Sequence, residues 1–454
     1  MYAPTRRTFI RQAACAALSS AGLINTIFDL RKLSAATISA PNDDYKALVC
    51  LFLYGGNDAN NVIIPHDNAG YASYAAARGA LALPQAQLLP LTLLNGDGRD
   101  FAFHPSMPEM QSLFNNGHLG VVANVGTLVA PITRAQYIAG TAAVPNQLFS
   151  HADQSVQWQT SVPDQVSRTG WGGRMADLLH SLNGNAKVSL SISIAGTNTF
   201  EVGNIVLPYS VSSSGSVGLS GFDGSANANV RLSAFKNLLA QPQNNLFQQA
   251  YADTVSRSIA ENDLLTSALA GVPALQTQFP ASALAQQLNM VAKLIAARTN
   301  LGMQRQIFFC SVSGYDTHGD QLAGQAGLLT ELSQALNAFY SATAELGVAN
   351  NVTTFTASDF GRTFPTNGSG SDHGWGSHQF VLGGAVQGGR LFGNFPTLAV
   401  NGPDDTGQGR WIPTTSVDEF SATLASWFGV SASDLPTVLP NIGRFAHPNL
   451  GIFG

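Results

Sequence analysis

Between Thr356 and His378 the chain reads TASDFGRTFPTNGSGSDHGWGSH. Asp359, Arg362, Asp372, His373 and His378 share this stretch with five glycines, in a protein that is only 11% charged and has nine histidines. Carboxylate and imidazole side chains together suit zinc, manganese or non-haem iron. An arginine beside them offers an oxyanion a planar fork of N–H donors. Two other short segments carry related chemistry: Gly55-Gly56-Asn57-Asp58 and Tyr315-Asp316-Thr317-His318.

Each segment also has a plain structural reading. Gly, Asn and Asp are ordinary turn formers, an Asp caps a following helix, Asp359 with Arg362 is a local ion pair, and Asp372-His373-Gly374 is a solvent loop. The case for chemistry rests on their coincidence at strand ends. Short apolar runs recur, each closing on a polar, Gly-rich turn: Ala47 to Asp58, His118 to Thr127, Lys187 to Asn198, Gln306 to His318 and Asn351 to Arg362. Several are continuous and β-rich, as buried parallel strands are. Helical patterns lie between them, with Leu284, Leu288, Val291 and Ile295 on one face of Ser282 to Asn300, and Leu328, Leu332, Leu336 and Phe339 on one face of Gly327 to Leu346. Alternation of this kind predicts an α/β fold with a largely parallel central sheet flanked by helices. Residues 41–454 are expected to form one such domain. Within it, about 204–301 reads as a loop and helical insertion: Ser212 to Asn229 is rich in Ser, Gly and Asn, and Val230 to Leu301 is mostly helical in pattern.

Ligand sites in open α/β sheets form at the carboxyl ends of the strands. A parallel sheet therefore brings Asp58, Asp316 and Asp359 to one crevice. Like charges so placed repel unless neutralised, and one or two divalent cations are the expected counter-charge, zinc first, manganese or iron as alternatives. Asp316 and His318 alternate by two, so on an extended strand both face one way. The glycines after Asp359 are expected to make a flexible flap that delivers His373 and His378 to the ion.

The first forty residues read as a targeting segment. Arg6-Arg7 precede Thr8-Phe9-Ile10, a mild apolar stretch runs from Ala13 to Ile27, and small residues follow from Leu33 to Ala40. The stretch is too short and polar for a membrane span. A twin-arginine signal implies export of the folded chain to the periplasm or beyond. Residues 1–40 carry five basic side chains against Asp29, a net +4, which leaves −9 on residues 41–454 from −5 on the whole. No basic run is visible there, which argues against nucleic acid as a partner. Cys50 and Cys310 sit in apolar runs and are expected to be buried thiols, with a disulfide between them left open.

The chain resembles the exported bacterial proteins of the DUF1501 family, a family related to the alkaline phosphatase and sulfatase superfamily. The resemblance is carried by the twin-arginine start and by LYGGNDANNVIIP, FSHADQSVQWQT, GWGGR, GYDTHGDQ, ASDFGRT and SDHGWGSHQFVLGGAVQGGRLFG, in the family's order. It implies an alkaline phosphatase-like sheet and a two-metal site. Asp58 matches the aspartate after the first strand, Asp316 and His318 a later Asp and His, Asp359 the next aspartate, and His373 or His378 a late histidine. Phe360 stands where phosphatases commonly carry a histidine next to that aspartate. The superfamily's nucleophile corresponds to Ser150, with His151 assisting it or binding metal. Arg362 is the expected anion clamp. The implied function is an exported metal-dependent hydrolase of small or polymeric phosphate or sulfate esters. The alternatives are a non-catalytic exported binding or assembly protein on the same fold, and a metal-dependent lyase or oxidoreductase using the same ligands.

Overall fold

A computed structural model describes residues 44–454 apart from 185, 187, 217, 220 and 223. The twin-arginine segment, Cys15 and the cleavage region lie outside the described residues. Nine residues of near-continuous apolar character, KALVCLFLY, form β1 (Lys46–Tyr54), the central strand. The other principal strands are β2 (Leu119–Gly126), β3 (Ser191–Ser193), β4 (Arg305–Ser313), β5 (Val352–Ser358) and β6 (Ser377–Leu382). Their order across the sheet is β2-β6-β5-β1-β4-β3, with Leu391–Phe392 beyond β2 and Tyr209–Ser212 beyond β3. β1 pairs in parallel with β5 and β4, and β4 in parallel with β3. β6 is the exception, antiparallel to both β5 and β2. β2 consequently runs in the direction of β1, and the carboxyl ends of β1, β2, β4 and β5 share one rim.

Alternation along β1 builds the layers. Val49, Leu51 and Leu53 pack on one face with Leu284, Leu288, Leu332 and Leu336, while Leu48, Cys50 and Phe52 pack on the other with Trp158, Trp171 and Phe420. The first face is covered by α1 (Pro108–Asn115), α3 (Ala283–Ala296) and α4 (Gln321–Glu345), the second by α2 (His151–Thr160) and α5 (Val417–Phe428) among others. Each large aliphatic side chain so buried stabilises the layers by about 1.5–3 kcal/mol. Cys50 pairs with Phe309 and Leu51 with Cys310, so the two thiols lie on opposite faces of the sheet. Both are free and buried, and the intervening backbone is the physical reason they do not bridge.

The stretch from about 204 to 301 is mixed in character. Ala226–Leu239 buries only Ala228 and Leu239, whereas α3 buries Leu284, Leu288, Val291 and Ile295 against the sheet. The latter helix is a structural layer, and the polar, exposed part ends before it. Among the described residues no helix is long and apolar enough to cross a membrane.

Candidate metal centre

At the end of β1 the chain turns through Gly55 (φ +117°) and Gly56 (φ +79°). A Cβ on Gly55 would lie 2.3 Å from the Asp316 nitrogen, and one on Gly56 would lie 2.5 Å from the Phe360 ring. Only glycine permits both the positive φ and the contact. These two residues let the rim segments after β1, β4 and β5 close on one another. Ser358 ties the end of β5 to that of β1, its Oγ donating to the Leu53 carbonyl and accepting from Asn57 N.

Four side chains converge there. His151 opens the helix α2 (His151–Thr160); Asp316 and His318 follow β4; His373 comes from the segment between β5 and β6. His151 Nε2 lies 3.0 Å from His373 Nε2 and 3.4 Å from Asp316 Oδ1, and His373 Nε2 lies 3.5 Å from the same oxygen. His318 Nε2 adjoins at 2.9 Å from His373 Nε2 and 3.1 Å from Asp316 Oδ1. β4 ends at Ser313, so Asp316 and His318 meet through tight turns (Thr317 N to Tyr315 O, His318 N to Asp316 O) and not by strand alternation.

Behind each imidazole stands an oxygen. His151 Nδ1 is 2.6 Å from Asp359 Oδ2, His318 Nδ1 is 3.1 Å from Asp372 Oδ1, and His373 Nδ1 is 2.8 Å from the Phe149 carbonyl. An oxygen acceptor at Nδ1 places the proton there and leaves Nε2 with its lone pair facing inward. Lone pairs about 3 Å apart repel, and a cation between them removes that repulsion. Three donors of a tetrahedral zinc set at about 2.0–2.1 Å stand about 3.3–3.4 Å apart. His151, Asp316 and His373 fit that spacing, and their ligand atoms form the His/Asp group of the described residues that could hold an ion. His318 borders the same position as a further nitrogen.

The electrostatics differ from ligand to ligand. The Asp359 hydrogen bond raises the pKa of His151, with burial opposing it. Burial lowers that of His373, which favours its neutral form. Burial works to raise the Asp316 pKa, but the Arg362 hydrogen bond and charge, with His151 and His318, hold it below the usual carboxylate range. Phe360 is buried and packs its ring 4.6 Å from that of His151 and 4.8 Å from that of His373. It forms an apolar wall that fixes both imidazoles.

Several expected site residues stand elsewhere. The Asp58 carboxylate is fully buried in an ion pair with Arg78, accepts from Gln321 Nε2, and caps Ala59–Asn61 through Asn60 N. Its counter-charge is a guanidinium, so it does not join the cluster. His378 is fully enclosed within β6: Nδ1 accepts from Asn124 N at 3.0 Å, the ring stacks on Phe395 at 4.5 Å, and burial pushes its pKa down to about 3. Asp359 stands behind His151, its Oδ2 taken by that ring and by Gly55 N. Arg362 is fully buried and turned inward, to Asp316 Oδ1, the Gly55 carbonyl and Ser371, so it braces a ligand and has no fork to offer an anion. Ser150 is the N-cap residue of α2, but its Oγ donates to Asp153 Oδ2 at 2.6 Å and not to a histidine.

The expected flap is a pinned hairpin. Thr363 N bonds to the Asp372 carbonyl, Gly374 N to Gly361, and Gly361 N to Trp375. A Cβ on Gly374 would lie 2.6 Å from the Gly361 carbonyl. That glycine allows close approach of two backbones, not mobility. Asp372, Phe149 and Arg78 were not among the expected site residues. Asp372 was legible beside His373; nothing in the sequence points from Arg78 to Asp58.

With this geometry in place, the chain can be assigned. The fold is α/β, and the rim carries a cluster able to hold a metal. The chain belongs to the DUF1501 family, described as "Protein of unknown function", whose model matches residues 45–435. No curated protein matches the chain. Among solved structures it is similar to the PsFucS1 sulfatase from Pseudoalteromonas sp., at 11% identity and TM-score 0.37, covering 94% of this chain and 77% of that one. It is similar also to the phosphonate monoester hydrolase SpPMH from Silicibacter pomeroyi, at 9% identity and TM-score 0.35, covering 85% and 73%. A third is the lipoteichoic acid synthase LtaP from Listeria monocytogenes, at 8% and 0.36, covering 90% and 80%. Scores of this size leave the chemistry of those proteins as theirs alone.

Proposed function

We propose that the protein is an exported, metal-dependent hydrolase of phosphate or sulfate esters, built on one divalent ion, zinc in the first instance. The observation that carries this reading is the convergence of His151 Nε2, His373 Nε2 and Asp316 Oδ1 within 3.5 Å of one another, with an oxygen behind each imidazole. His151, Asp316 and His373 would hold the ion, with His318 beside them. An ion so bound supplies Lewis-acid polarisation of an ester oxygen and lowers the pKa of a water from about 16 to about 7.

The chain's own groups do the positioning. Asp359 keeps the His151 proton on Nδ1, and the Phe149 carbonyl does the same for His373. Arg362 fixes Asp316 and lowers its proton affinity. Phe360 excludes water from the far side of two rings. Asp58 supports this frame at a distance: Gln321 bridges it to Ser371, and Ser371 accepts from Arg362. Because Ser150 is engaged by Asp153, the reading assigns attack on the ester to water and not to the Ser150 hydroxyl. The same engagement of Ser150 favours a second reading, a metal-binding protein without turnover.

One experiment separates them. Protein stripped with a chelator is reloaded with zinc, and metal content is measured beside turnover of aryl phosphate and aryl sulfate esters. The hydrolase reading expects one equivalent of zinc and zinc-dependent turnover of one ester class, both lost in His373→Ala. Zinc without turnover supports the binding protein; no zinc at all sinks both.

A further inference from the structure

We propose that Arg410 grips the tetrahedral oxyanion of the substrate, a phosphate or sulfate ester group, at the His/Asp centre. This rests on the hydrolase reading above and assigns it the anion-binding residue that Arg362 does not supply.

Arg410 is tied to the centre by two contacts, one to His373 and one to Phe149. Its Nε donates to the His373 carbonyl at 2.7 Å. Its guanidinium lies over the Phe149 ring, 4.4 Å from the centroid. Phe149 in turn gives its carbonyl to His373 Nδ1. Arg410 thus meets the backbone carbonyl of His373 and the ring of Phe149, whose own carbonyl meets the His373 ring. Phe149 sits at φ +74°, in the left-handed region that a bulky residue rarely occupies. Such a conformation persists where surrounding contacts demand it. Here it turns the carbonyl to His373 while the ring lies under Arg410.

The backbone beneath Arg410 is equally fixed. The buried Asp405 carboxylate accepts from Asn401, Gln408 and Arg410 nitrogens. The neighbours on each side bond to the hairpin, Phe364 N to the Gly409 carbonyl and Gly376 N to that of Trp411. An arginine held by its Nε and its flat face keeps the outer edge of the fork, Nη1 and Nη2, for a ligand. Among the described residues no carboxylate pairs with that edge, although the chain is acidic overall. The aspartates of the centre already have partners: Asp316 has Arg362, Asp359 has His151, and Asp372 has His318. Arg410 is half-buried, so the edge is reachable and its position is set before the anion arrives. Guanidinium meets phosphate and sulfate oxygens in pairs, and lysine does not reproduce that geometry.

The test is calorimetric titration of inorganic phosphate, with sulfate as a second probe, into the wild type, Arg410→Gln and Arg410→Lys, each with and without zinc. For Arg410→Gln the expected result is phosphate affinity lower by about tenfold or more and zinc affinity within about threefold of wild type; Arg410→Lys should fall between. In turnover, KM for the ester rises while kcat changes far less. Equal phosphate affinity in the wild type and Arg410→Gln overturns the inference, as does a wild type that binds neither anion. Parallel loss of zinc in Arg410→Gln also overturns it, because Arg410 would then only brace His373. A wild type that binds phosphate through Arg410 but takes up no zinc supports the anion site and sinks the metal reading alone.

Discussion

His151 Nδ1 lies 2.6 Å from Asp359 Oδ2, the shortest of the three contacts that orient the imidazoles of the centre. Asp359 Oδ1 is buried and has no hydrogen-bond partner among the described residues. The carboxylate therefore spends its charge on one imidazole and on the Gly55 amide, and it determines which nitrogen of His151 faces inward.

Replacing Asp359 by Asn should weaken zinc binding by about 10–100-fold without abolishing it, the usual cost of losing an oxygen that orients a ligating histidine. His151→Ala and Asp316→Ala should remove stoichiometric zinc altogether. Zinc titration of the three variants checks the ranking. Equal losses in all three would make Asp359 a ligand in its own right.

Asp58→Ala should act on stability first. It leaves Arg78 charged in a fully buried position, where breaking a pair of this kind costs about 3–5 kcal/mol. Denaturant unfolding should show that loss, and Asp58→Ala combined with Arg78→Met should recover much of it. A folded Asp58→Ala protein of unchanged stability that lacks zinc would return Asp58 to the ligand set.

Ser150→Ala should leave ester turnover within about tenfold of wild type, because removing an assumed nucleophile that is not one costs little beyond local packing. A fall of about 10⁴-fold or more would identify Ser150 as the attacking group. Steady-state kinetics on one aryl ester suffice.

Glu201 gives a pH test away from the centre. It is fully buried, and its Oε2 accepts from Asn198. Burial raises its pKa to about 8. A carboxyl whose pKa is higher folded than unfolded contributes stability that is fully present below the unfolded value and is lost as pH rises through the folded one. The wild type should therefore lose a few kcal/mol, at about 1.4 kcal/mol per pH unit, between roughly pH 4.5 and pH 8 on this account. Glu201→Gln should flatten that slope and raise Tm at pH 8 while changing it little at pH 4.5. Thermal melts of both proteins across this range decide it.

Much of the architecture was legible. Runs of apolar and β-branched residues announced β1, β4 and β5, because strands buried on both faces show no alternation of buried and exposed positions over most of their length. The spacing of Leu284, Leu288, Val291 and Ile295 announced α3 because one stripe of that helix meets the sheet. The reversal of β6 was not legible, since its buried residues look the same in either direction. The strand expected over Lys187 to Asn198 is short, spanning Ser191–Ser193, with Leu190 and Ile194 also bonded through their backbone to β4. The glycines after Asp359 were read as freedom. Their role is contact, which depends on what lies opposite and not on the residue itself.

The amino-acid order by itself determined that aspartates end three strands of a largely parallel sheet and that histidines lie close to two of them. It also determined that these groups would gather at one rim, since parallel pairing puts those strand ends side by side. Only the tertiary structure decided the partner of each carboxylate. A buried carboxylate is stabilised by the nearest positive or proton-donating group in space, at any separation along the chain. For Asp58 that group is the Arg78 guanidinium, for Asp359 the His151 ring, and for Asp316 a guanidinium together with the place where three imidazole nitrogens meet.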